Sequence, residues 1–336
     1  MNESIIICAG NGASMLELTN LSNADCDVEN ILRNDTDSVP AIVREHGLDG
    51  IEFMLCAPWD PAMYPPEYIK GVHLMFWPTW LDFWRGDRVA LIEEFGSEEN
   101  VRAYYGSLDV ADWVERWKEN LRRAAECRPH YVVFHVAHNR TSEMYTREFS
   151  ASDEDVIRMS IELVNEIVSE MPQDCKLLFE NLWWPGLTLR RTDLAERLLS
   201  RSKHQNCGFL LDTGHLMSTN LDLVGEADSA AFVVAAYRAL GSLGQRVYGL
   251  HLHQSQSGAY VRTMMNTPGD WRWPRDSAKI SEYVARVDAH RPFQTSAVRR
   301  IVEAIQPEYL VHEFLPATFA EWEEKVHTQR HALGWE

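Results

Sequence analysis

Short apolar runs alternate along this chain with longer stretches of helical periodicity. Eight runs are rich in β-branched, aromatic and leucine residues and bounded by Gly, Pro or polar positions. They predict strands at 4–9, 49–55, 69–76, 131–137, 176–180, 208–212, 247–252 and 309–314. Helical patterns lie between them at 38–46, 110–127, 153–170, 192–202, 228–241, 294–305 and 318–333. The clearest is VADWVERWKENLRRAAEC over 110–127, stopped near Pro129. Ser152, Asp153 and Asp155 are cap candidates for the helix over 153–170. Strands alternating with helices predict a parallel sheet, and continuously apolar strands predict burial on both faces. The pattern predicts an α/β protein, a (β/α)8 TIM barrel. The rival, an open doubly wound sheet, usually has fewer strands and a Gly-rich phosphate turn, and no G-x-G-x-x-G is present.

Four runs end in residues that carry chemistry. Glu180 closes KLLFE, Asp212 closes CGFLLD, His251 sits in VYGLHLHQ, and Glu313 ends YLVHEF. An unpaired buried charge is costly. Parallel barrel strands converge at their C-terminal ends, so one shared divalent metal ion accounts for all four. Three carboxylates and one imidazole suit Mn, Mg or Co, and Zn also fits. The bland alternative is a set of capping acids with a core histidine. His253 lies two residues after His251 and therefore points the same way.

At 336 residues the chain fits one barrel with an insertion or two, since such barrels take ~250 residues. Two smaller domains stay open on length alone. No linker-like, repeated or low-complexity segment appears, which favours a single domain over 1–336. Two long insertions, 77–109 and 254–292, leave predicted C-terminal strand ends, where barrel active sites lie. They carry Trp77, Trp80, Trp84, Trp271 and Trp273, and Trp183 and Trp184 follow the fifth strand. Trp faces stack on sugar rings or larger planar groups. A satellite core under a long loop is the competing account. The net charge of −18 is spread along the chain and disfavours nucleic acid and anionic membranes. Six cysteines without a CxxC pair point to a reduced, cytoplasmic protein. The start MNESIIICAGNG lacks a basic region and a long apolar stretch, so no signal peptide is expected. No run approaches the ~18 apolar residues of a membrane span.

The segments GLDGIEFML, FHVAH, FENLWWPG, LDTGHL, GLHLHQS and VHEF resemble the xylose-isomerase-like barrel superfamily. They span about residues 47–315. That group holds sugar and sugar-phosphate isomerases and epimerases, inosose dehydratases and endonuclease IV repair enzymes. The resemblance implies a metal site at Glu180, Asp212, His251 and Glu313. Glu180 and Glu313 would act as base and acid on a metal-held hydroxyl and carbonyl, through an enediolate. The resemblance gives His215 a contact to substrate or to a second metal. It gives His73 and His135 further metals in endonuclease IV-like members. His253 and Glu52 join them as residues for a second metal or the substrate. Trp77, Trp80, Trp84, Trp183 and Arg262 are the expected substrate-binding residues.

Two departures bear on the choice within the superfamily. Endonuclease IV-like members need an Asp-x-His after the seventh strand. The sequence near PGDWRW offers Asp270, followed two positions on by Arg272. Ketose 3-epimerases carry an arginine six residues after the strand-seven histidine, where this chain has Ser257. The leading expectation is a metal-dependent isomerase, epimerase or dehydratase acting on a sugar, sugar phosphate or polyol. The alternative is a metal-dependent phosphodiester or cobamide hydrolase of the endonuclease IV-like branch, and the third is a non-catalytic ligand-binding barrel. The expected partner is a small-molecule substrate, with no nucleic acid and no membrane. A homo-oligomer is compatible with the sequence.

Overall fold

The computed structural model describes residues 15–267 and 277–335. Eight parallel strands close into a barrel in chain order. They are β1 Leu16–Ser22, β2 Gly50–Met54, β3 Ile69–His73, β4 Tyr131–His135, β5 Lys176–Glu180, β6 Cys207–Asp212, β7 Val247–Leu252 and β8 Tyr309–His312. Strand β1 pairs with both β2 and β8, which closes the ring. The expected strand at 4–9 lies outside the described residues, and the barrel begins at Leu16–Ser22 instead. The other seven expected strands are present, within a few residues at their ends.

Alternation along each strand decides where the chemistry sits. Leu178, Leu210, Val133 and Val311 point inward and form the barrel interior with Leu18, Tyr131 and Tyr309. Two residues further on, the same inward parity gives Glu180, Asp212, His135 and Glu313. Register then sets these ends beside one another, with His135 opposite Glu180 and Asp212 opposite His251. The outward residues Phe179, Phe209, Leu211, Leu250 and Leu310 pack against the surrounding helices. The long helix Val110–Glu126 contributes Trp113, Trp117 and Leu121 to that layer, and Asp109 caps its N-terminus.

The first insertion folds as three short helices, Leu81–Arg85, Arg88–Phe95 and Glu98–Tyr105, with Asp87 and Ser97 as N-caps of the second and third. The second insertion supplies the helices Gly258–Met265 and Ser277–Val287. Together with Met144, Tyr145, Leu182, Trp183 and Trp184 they build a separate apolar cluster above the barrel end. No helix among the described residues is long and apolar enough to cross a membrane.

Candidate metal centre

Glu180, Asp212 and His251 are wholly buried, and Glu313 nearly so. His251 Nδ1 lies 3.1 Å from Glu313 Oε2, 3.4 Å from Glu180 Oε1 and 3.6 Å from Asp212 Oδ2. Yet His251 Nδ1, Glu180 Oε1 and Glu313 Oε2 make no hydrogen bond. These three buried atoms therefore crowd together unsatisfied, with His251 Nδ1 within 3.4 Å of both carboxylate oxygens. Ligand atoms sharing one ion at ~2.0–2.2 Å lie about 3.0–3.5 Å apart, so these residues fit a divalent cation. Glu52 stands behind His251. Its Oε1 is 3.0 Å from His251 Nε2, while its Oε2 accepts from the Tyr131 hydroxyl at 2.7 Å. A carboxylate there holds the imidazole proton on Nε2 and leaves Nδ1 as the ligand atom. Glu52 therefore braces the candidate ligand His251, where the sequence suggested contact with a second metal or substrate. The Tyr131 ring reaches Glu52 across Gly71, where a Cβ would meet it at 2.3 Å.

Two further groups adjoin the quartet. On one side His73 Nε2 and His135 Nε2 lie 3.1 and 3.0 Å from Glu180 Oε2. On the other, His215 Nε2 is 3.0 Å from Asp288 Oδ2, which is 3.4 Å from His290 Nδ1. His290 Nε2 and His253 Nε2 approach Glu313 Oε2 at 3.5 and 3.4 Å. His253 Nε2 also bonds Asp212 Oδ2 at 2.9 Å, and its ring stacks on His290 at 4.1 Å. Within each of the sets His73–His135–Glu180, Glu180–Asp212–His251 and His253–His290–Glu313, the candidate ligand atoms lie within 4.8 Å of one another. The structure thus joins all four expected ligands with His73, His135, His215 and His253 in one continuous cluster.

Asp288 and His290 are absent from the sequence expectation, and they correct it. The Asp-x-His was sought at Asp270 and Arg272, which lie outside the described residues. It is supplied by Asp288-Ala289-His290, directly after the helix Ser277–Val287. Paired backbone bonds between Gln254 and Arg291, at 2.8 and 3.2 Å, clip this segment to the end of β7. Ser255 Oγ donates to Asp288 Oδ1 at 3.0 Å. The signal was the triplet in VDAHRP itself, set far from β7 by a helix.

The motif residues between the ligands act as braces. Asn181 Nδ2 donates to the Asp212 carbonyl at 3.0 Å, and the Asp212 N–H donates to Asn181 Oδ1 at 2.9 Å. This locks the ends of β5 and β6. The Thr213 hydroxyl bonds the carbonyls of His251 and His253 at 3.0 and 2.6 Å, which fixes β7. Gly214 gives the His253 ring its place, since a Cβ there would lie 2.1 Å from His253 Cε1.

In the metal-free protein several of these imidazoles and carboxylates hold each other charged, while at His135 burial outweighs the Glu180 carboxylate and lowers the imidazole. Burial pushes the His253 imidazole down, but the Asp212 carboxylate overrides it and holds the group up to about 10. Burial also opposes charge on His215 and His251. Asp212 and Asp288 hold the first well above its ordinary value, and Glu313 and Glu52 the second. Burial pushes Glu180 and Glu313 up. His135 and His251 override it at Glu180, and His251 at Glu313, holding both well below the carboxylate range. A raised histidine stabilises the fold fully below its unfolded pKa, and that contribution is lost as pH rises through the folded value. Chelator-treated protein is therefore expected to lose stability progressively from about pH 6.5 to about pH 10. Metal-loaded protein, whose histidines are already deprotonated as ligands, should hold its thermal midpoint across that window. Parallel midpoints for the two forms would contradict the ion-paired histidines.

A cavity of 640 Å3 opens beside His135, His215 and Asp288 and is walled by Phe76, Trp77, Tyr104, Trp183 and Trp184. Trp77 and Trp183 line this cavity. Trp80 and Trp84 do not. Trp80 stacks on Trp113 at 6.2 Å and donates Nε1 to the Ala137 carbonyl at 2.8 Å. Trp84 packs on Trp113 and donates to Glu162 at 3.2 Å. The first insertion needs an apolar core of its own, and these two rings supply it. Arg262 also departs from expectation, since it is exposed and tied to Leu221 and Asp222. Trp271 and Trp273 lie outside the described residues.

A closed (β/α)8 barrel with candidate metal ligands at its C-terminal strand ends defines the class. The chain belongs to the xylose isomerase-like TIM barrel family, whose sequence profile matches residues 40–305. Among solved structures it is similar to endonuclease IV from Thermus thermophilus, at 16% identity over 96% of this chain and 100% of that one, TM-score 0.53. It is also similar to mannonate dehydratase from Streptococcus suis serotype 2, at 11% identity over 95% and 94%, TM-score 0.48. D-Psicose 3-epimerase from Clostridium cellulolyticum H10 is similar at 13% identity over 96% of both chains, TM-score 0.47. These likenesses show the fold alone. No curated protein matches the chain.

Proposed function

We propose that this chain is a metal-dependent phosphoester hydrolase that works on a small molecule, with several divalent ions held side by side. The observation that carries this reading is the extension of the quartet on both sides, by His73 and His135 and by His215, Asp288, His290 and His253. An isomerase using one ion would leave these imidazoles without a task.

Six imidazoles among the ligands favour Zn, Mn or another transition ion over Mg. Such ions supply Lewis acidity toward ester oxygens and lower the pKa of water. The chain's own part is to fix their spacing. Glu180 reaches the first two groups through its two oxygens, and Glu313 and Asp212 reach the second and third. Tyr131, Glu52, Asn181 and Ser255 hold the ligands in orientation. In the reaction a water oxygen bonds phosphorus and the P–O ester bond breaks. The departing oxygen takes up a proton.

Metal analysis and turnover test this together. Purified protein loaded with Zn or Mn is expected to hold about three ions per chain and to hydrolyse bis(p-nitrophenyl) phosphate. One ion per chain, together with epimerisation of ketoses and no ester hydrolysis, would restore the isomerase reading.

A further inference from the structure

We infer that the non-reacting half of the substrate is an uncharged planar ring system of about nucleoside size, and that the substrate is not a nucleic-acid strand. This rests on the hydrolase reading above and deepens it. The cavity beside the metal centre measures 640 Å3, within the range of small-molecule sites. It runs onto the centre itself, because His135, His215 and Asp288 belong to both. An ester group at the ions therefore places its substituent in this cavity.

The walls define that substituent. Phe76, Trp183, Trp184, Met144, Ile280 and Val284 give aromatic and aliphatic surface. Trp184 lies 4.7 Å from Trp183 and 6.4 Å from Phe76, the latter at only 20° between planes. Flat faces of this kind stack on planar rings. No lysine or arginine is among the described lining residues. A nucleic-acid strand carries a negative charge at every nucleotide and needs a cationic track to hold it. Among the described residues the wall outside the metal centre carries no cation, and the whole chain carries −18. Asn139 adds a polar handle. It lines the cavity and is 1% exposed, and neither Oδ1 nor Nδ2 has a hydrogen-bond partner in the protein. An unpaired buried amide is costly, and a heterocycle edge offering a donor beside an acceptor would satisfy it.

Binding measured without turnover separates this inference from the hydrolase reading. Metal-loaded protein is titrated calorimetrically with thymidine 5′-monophosphate, ribose 5-phosphate and a ten-nucleotide oligothymidylate. The two monoesters share the phosphate and differ in the ring. Thymidine 5′-monophosphate is expected to bind about tenfold or more tightly than ribose 5-phosphate, as one stacked base allows. The oligonucleotide should bind no tighter than the monomer. The ring preference should fall below about threefold in Phe76→Ala and in Trp184→Ala. Phe76 is only partly buried, so its variant stays informative if Trp184→Ala fails to fold. Equal binding of the two monoesters would overturn the inference, as would tighter, salt-steep binding of the strand. Failure of the protein to hydrolyse bis(p-nitrophenyl) phosphate would instead overturn the hydrolase reading while leaving the ring preference measurable.

Discussion

Replacing Glu180 by Gln is expected to strip the protein of about two ions per chain and to lower phosphoester hydrolysis by roughly a thousandfold or more. Glu180 sits where two ligand groups meet. Its Oε2 faces His73 and His135 at 3.1 and 3.0 Å, and its Oε1 faces His215 and His251 at 3.2 and 3.4 Å. Gln keeps the shape but turns one oxygen into an NH2 donor that cannot ligate. It also removes the negative charge that offsets four imidazoles in a buried site. Glu52→Gln gives the graded comparison. Among the described residues the Glu52 carboxylate hydrogen-bonds His251 and Tyr131, so its loss should weaken metal affinity by ~10–100-fold at the shared central position and leave the flanking positions loaded. Metal content by mass spectrometry, read beside turnover, ranks the two variants. If Glu52→Gln emptied the centre more completely than Glu180→Gln, the placing of the two carboxylates would be reversed.

Most of the barrel was legible because seven of its strands are apolar on both faces and break sharply at Gly, Pro or charged residues. Strand β1 was not, for a physical reason. LELTNLS carries Glu17, Thr19 and Asn20, and only specific partners make them tolerable in a closed sheet. Asn20 exchanges two hydrogen bonds with the backbone of Phe314 at 2.9 Å, and Thr19 Oγ1 accepts from the Trp322 indole at 2.9 Å. Both partners lie at the far end of the chain, invisible to local pattern. The central quartet was legible because strand parity and register are local rules that place Glu180, Asp212, His251 and Glu313 together. Asp288 and His290 escaped because no strand presents them. They arrive from a loop held by Gln254 and Ser255, a tertiary arrangement that spacing does not encode.

Trp80→Ala should destabilise the protein by roughly 3–5 kcal/mol and leave metal content per folded chain close to wild type. The sequence pointed to a substrate-side role for this ring, and its surroundings reverse that expectation. Trp80 is 4% exposed and stacks on Trp113, which also meets Trp77, Phe83, Trp84 and Tyr105. Truncation opens a void against Trp113, the centre of this aromatic cluster. It also orphans the Ala137 carbonyl, which accepts from the Trp80 indole at 2.8 Å. The backbone N–H groups of Trp80 and Leu81 donate to His138 Nδ1 at 3.2 and 3.3 Å. Burial pushes His138 down to about 4, so this ring is a neutral acceptor near pH 7 and the anchor survives the substitution. The damage therefore falls on packing between the first insertion and the helix Val110–Glu126 and on the lost bond to the Ala137 carbonyl. Trp84→Ala should cost less, because that ring is only partly buried against the core. Urea unfolding measured beside ring binding at the cavity separates packing from recognition. An unaltered unfolding midpoint, together with a loss of thymidine 5′-monophosphate binding in Trp80→Ala, would return this residue to the substrate side.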